Sequence, residues 1–69
     1  MTQKELLYVE DAIGHEQNII SICEDTINNL EDDNLVSFME KELKKHMSMK
    51  EKLINMLEDK ANEWSITTW

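Results

Sequence analysis

The chain has 69 residues, 41% of them hydrophobic and 32% charged, with no proline, one glycine and one cysteine. That length specifies one small domain whose own core is marginal, and the lone Cys23 excludes a disulfide framework or a cysteine-rich zinc motif. A formal net charge of −8 repels phosphate backbones and anionic lipid surfaces, so neither nucleic acid nor a membrane is expected as a partner. Lysines cluster at Lys41, Lys44, Lys45, Lys50 and Lys52, but acids interleave with them, as on a solvated helix face. No apolar run is long enough to span a bilayer and no signal-peptide pattern opens the chain, which predicts a cytoplasmic protein.

Thr2-Gln3-Lys4-Glu5 reads as a capping box and predicts the start of a helix over about 3–30. Leu6, Ile13, Ile20 and Ile27 then recur every seven residues, with Val9, Glu16, Cys23 and Leu30 on the companion positions. This is an a/d seam of nearly four heptads with one polar intruder, Glu16. Ala12 and Ile19 widen the stripe on one flank and Ile22 on the other, which suits a bundle better than a two-stranded coil. Gly14 lies inside the helix, where it is expected to mark close approach of a neighbouring helix.

Glu31-Asp32-Asp33-Asn34 interrupts the pattern, with Asp32 the expected N-cap of a second helix over about 33–63 and Leu30 placed to staple onto Val36. A turn at about 31–33 forces the helices antiparallel. The second helix carries Leu35, Phe38, Met39, Leu43, His46, Met49, Leu53, Met56 and Leu57 on its apolar side, extended by Ala61 and Trp64. Its methionines read as gap-fillers of a packed interior. Residues 65–69 are β-branched, lose the helical period and predict an irregular tail whose tryptophan docks on the bundle or on a second subunit.

Two such helices bury one side of each stripe. The expected architecture is therefore an all-α antiparallel hairpin, residues 1–64, that dimerises into a four-helix bundle. Its dimer core is expected at Leu6, Ile13, Ile20, Ile27, Met39, Leu43, Leu53 and Leu57. Counted outward from the turn at Asp32, Glu16 and His46 reach the same level. Their expected role is a register-setting polar layer. The alternative is a metal site for iron, manganese or zinc, with Glu16 and His46 as ligands and His15 and Glu42 assisting. The Glu-x-x-His arrangement of di-iron bundles is half met, because Leu43 stands three residues before His46. No cofactor-binding motif and no complete catalytic set is present, so no enzymatic activity is expected.

Leu6 through Glu16, with its Glu-Asp-Ala-Ile-Gly-His-Glu stretch, then Asp32-Asp33-Asn34-Leu35 with Ser37-Phe38, then Lys45-His46, resemble the small clostridial proteins of the spore coat protein F-like group. The resemblance covers roughly residues 3 to 57. Asp32-Asp33 stands where the group commonly has Asp-Pro, and the Trp-containing tail lies outside its pattern. The resemblance implies a Gram-positive spore former and a hairpin that assembles into a ferritin-like four-helix bundle. It also implies a spore coat or sporulation-associated structural role, with self-association and other coat proteins as the partners.

Overall fold

The computed structural model describes residues 1–67, and side chains as far as Lys60. The chain is all-α: α1 spans Gln3–Asn29 and α2 spans Asp33–Thr67. The helices form an antiparallel hairpin about 55 Å long, 16 Å wide and 12 Å deep. Among the described residues no helix is long and apolar enough to cross a membrane.

Both helices begin where side chains satisfy the backbone. At α1 the Glu5 N–H donates to Thr2 Oγ1 at 3.1 Å and the Thr2 N–H donates to Glu5 Oε1 at 2.8 Å. The box thus closes in both directions. At α2 the N–H groups of Asn34 and Leu35 donate to Asp32 Oδ1 at 2.9 and 3.0 Å. Helix α1 ends as Leu30 turns to extended backbone, and only three residues separate the helices.

The first helix follows the expected seam. Ile20 and Cys23 are buried, Leu6, Val9, Ile13 and Ile27 are half-buried, and Glu16 is 9% exposed. The second helix differs. Its inner row is Val36, Met39, Leu43, His46, Lys50, Leu53, Ile54 and Leu57, whereas Leu35, Phe38, Met49 and Met56 are exposed. The apolar residues of α2 cover too wide an arc for one neighbouring helix to reach. Lys50 joins the inner row because its methylene stem is apolar and its ammonium reaches out to the Gln17 side-chain oxygen. The eight residues expected at a dimer core thus lie in the seam between α1 and α2 of one chain.

Two further expectations change. Helix α2 continues to Thr67, past the end expected near residue 63 and into the tail expected to be irregular. β-Branched residues lower helix propensity only slightly, and neither proline nor glycine stands there to stop the helix. Thr68, Trp69 and the side chains of Ala61 and Trp64 lie outside the described residues, and so does the expected docking of the tail. Gly14 has no neighbour: a Cβ there would meet nothing within 4 Å, and its φ is not positive. No close approach in the hairpin calls for this glycine, so its reduced helix propensity is uncompensated.

Gly14→Ala should therefore raise the unfolding free energy by about 1 kcal/mol in urea titrations. Unchanged or lower stability would mean that something covers that position. The capping box gives a pH dependence as well. The backbone and hydroxyl hydrogen bonds from Thr2 hold the Glu5 carboxyl below the usual carboxylate range. A depressed folded value stabilises above the unfolded value and is lost as pH falls through the folded one. Protection factors of the amides in the first turn of α1, taken against the intrinsic exchange rate at each pH, should fall on acidification below that range, and Glu5→Gln should remove this acid limb.

Candidate polar layer and exposed apolar face

Glu16 is the fourteenth residue of α1 and His46 the fourteenth of α2. Antiparallel pairing about a three-residue turn brings the two together halfway along α1. His46 Nδ1 donates to Glu16 Oε2 at 2.6 Å, because an ionised carboxylate can only accept. The two side chains are 19% and 12% exposed. The other ring nitrogen, Nε2, faces Glu42 Oε2 at 3.8 Å, one turn back on α2. That separation is too long for a hydrogen bond. Both nitrogens of one imidazole therefore look at carboxylates, and only one of them is hydrogen-bonded.

Of the four residues singled out as candidate ligands, Glu16 is hydrogen-bonded to His46, and Glu42 stands 3.8 Å from the other ring nitrogen. His15 is exposed on the outer flank of α1, and among the described residues no hydrogen bond or ion pair ties it to the other three. Within one chain, no three or more His, Cys, Asp or Glu side chains among the described residues converge as a metal-binding group. Lys50, one turn beyond His46, is turned away toward Gln17.

The exposed apolar side chains are distributed unequally between the two broad sides. Leu35, Met49 and Met56 share a heptad position on α2, and Phe38 adjoins them; Tyr8 and Ile22 share one on α1, beside half-buried Ala12 and Ile19, so Ile22 lies on their flank of the stripe and not on the expected opposite one. In an antiparallel pair these rows fall on the same side of the seam. Glu5 and Met56 accordingly line one concavity with Val9, Leu53 and Leu57. The opposite side carries Gln17 with Met47, Glu51 and Ile54, and its α1 row is Gln3, Glu10, Gln17 and Glu24. Leu7 and Met47 are exposed off the apolar side. Glu42 and His15 occupy the same heptad positions as Met49 and Ile22, so they interrupt the apolar face at the level of the Glu16–His46 pair.

Sequence counting placed Glu16 and His46 at one level, but it did not single out the exposed row of α2 as a separate surface. The signal was available in the repeat Leu35, Glu42, Met49, Met56, read apart from the row Val36, Met39, Leu43, His46. Comparison with known protein families, curated proteins and solved structures finds no match to this chain.

A double-mutant cycle tests the layer. Glu16→Ala and His46→Ala should each destabilise the protein, with a coupling of about 1 kcal/mol at neutral pH. A coupling indistinguishable from zero would show that the pair does not hold the helices in register.

Proposed function

We propose that this chain is a small acidic assembly module without catalytic activity, and that its apolar face binds a second copy of itself in a two-fold four-helix bundle. The observation that carries this reading is the one-sided distribution of exposed apolar side chains. Leu35, Phe38, Met49, Met56, Tyr8 and Ile22 share a side with no helix over it in the single chain.

Area supports it. One chain exposes 5680 Å², against roughly 4,500 Å² expected for a compact monomer of this mass. The excess is comparable to the ~800 Å² that each partner buries in a standard interface. The broad side, 55 by 16 Å, has room for such an interface. Among the described residues only Ile20 and Cys23 are buried hydrophobics, so the single chain lacks there the enclosed core that a small domain needs.

Charge selects the arrangement. The outer edge of the apolar face is acidic on α1 at Asp11 and Asp25 and basic on α2 at Lys41, Lys45 and Lys52, with the signs exchanged at the open end, where Lys4 stands on α1 and Asp59 on α2. A two-fold axis parallel to the helices sets each α1 edge against the partner's α2 edge, so that opposite charges meet and all neighbouring helices run antiparallel. A perpendicular axis in the interface plane sets like against like. A spore coat or sporulation-associated role, with other coat proteins as further partners, is part of the proposal. It rests on the resemblance carried by Glu10 through Glu16 and the turn, as does assembly in the cytoplasm followed by incorporation into a coat.

Sedimentation at tens of micromolar should give a dimer mass, and Phe38→Glu should shift it to monomer with helical circular dichroism largely kept. The reading fails if the parent chain sediments as a compact monomer. A larger assembly that Phe38→Glu leaves intact would place the interface elsewhere.

A further inference from the structure

We infer that the polar layer becomes a divalent transition-metal site when two copies pair, with His46 Nε2 and Glu42 of each copy as ligands and Glu16 as the residue that orients the imidazole. This inference rests on the two-copy reading above and deepens it.

His46 Nδ1 carries the proton donated to Glu16 Oε2 at 2.6 Å. In the neutral ring Nε2 then presents a lone pair, and it faces the Glu42 carboxylate at 3.8 Å. Two electron-rich groups facing each other at that distance attract a cation between them. A carboxylate on the far nitrogen is the usual outer partner of a metal-bound histidine, fixing the tautomer and raising ligand basicity. Glu16 sits where that partner belongs. It is 9% exposed and accepts from His46 within the seam, so it is the orienting group and not a ligand. A metal about 2.0–2.1 Å from each donor spans a nitrogen–oxygen separation of about 3.3 Å at tetrahedral angles. The Glu42 side chain, 34% exposed, has the freedom to close the difference.

One chain offers only this nitrogen and this carboxylate, too few for a stable site. The partner copy supplies the rest. Glu42 shares the heptad position of Leu35, Met49 and Met56, so it points onto the face proposed to be covered. A two-fold axis parallel to the helices keeps equal residue numbers at equal heights. It therefore brings both copies of the His46–Glu42 pair to the axis in one layer. Two imidazoles and two carboxylates make a four-donor nitrogen–oxygen set suited to zinc and to neighbouring first-row divalent ions, and ill-suited to calcium or magnesium, which prefer oxygen alone. The apolar rows on either side of the layer exclude water from it. The surrounding negative charge, −8 per chain, favours a cation there.

The test measures zinc bound per chain by equilibrium dialysis of the full chain, with the oligomeric state of every sample measured by sedimentation. Cobalt(II) provides a second readout through its visible absorption, which is intense only in a tetrahedral field. The expected result is one zinc per two chains, with a tetrahedral cobalt spectrum. Glu42→Gln and His46→Gln should abolish both while the dimer persists. Glu16→Gln, which keeps an acceptor for Nδ1–H, should keep the stoichiometry and weaken zinc binding by 10- to 100-fold. A dimer that retains no zinc overturns the metal site and leaves the assembly reading standing. A chain that stays monomeric overturns both, and zinc bound at one per monomer overturns the shared site. Zinc binding unaffected by Glu42→Gln, or Glu16→Gln abolishing it as completely as His46→Gln, overturns the ligand assignment.

Discussion

Two helices have one line of contact, and that constraint governs this molecule. Each helix can bury a single stripe against the other, so whatever apolar surface lies outside the seam stays in water until another body arrives. Helix α1 spends its best heptad positions on the seam, and α2 is left with an inner and an outer row. The inner row closes the hairpin. The outer row, Leu35, Phe38, Met49 and Met56, is more apolar than solvent exposure alone explains, and it lies on the same side as Tyr8 and Ile22. The hairpin thus leaves a continuous apolar row outside its own seam.

The polar layer fits the same logic. Placing Glu16 in an isoleucine stripe and His46 in a leucine and methionine stripe sacrifices burial at the middle of the seam. It gains a carboxylate–imidazole hydrogen bond that forms in one register, because a slip of one helical turn would set Glu16 against Leu43 or Lys50 instead. Glu42 adds a second carboxylate at the same level. It carries the polarity of the seam outward, so that the layer crosses from the interior of the hairpin to its exposed apolar face.

Much of this was legible in the residues. The capping box at Thr2 and Glu5 and the Asp32 cap are local devices whose hydrogen bonds need no tertiary information, and both start helices where expected. The matched level of Glu16 and His46 followed from counting about a short turn. The division of α2 into two rows was less legible, because hydrophobicity records that a residue is withdrawn from water and not which neighbour withdraws it. Lys50 shows the opposite failure: its charge suggests solvent, while its stem packs inward and its amino group bends out to Gln17. Helix α2 runs past the expected residue 63 because β-branched residues are poor helix formers but weak helix stops. Gly14 suggested a close neighbour that the hairpin does not provide.

Cys23 has a consequence of its own. It is the only thiol in the chain and is buried at 4% exposure in the seam, two turns nearer the interhelix turn than Glu16. A water-soluble alkylating reagent reaches such a sulfur only when the helices part, so its rate of modification reads the rate or the population of open hairpins. Pairing with a second copy draws molecules out of the open state by mass action. The chain therefore contains a chemical clock for its own opening, and in an assembling molecule that clock runs slower as concentration rises.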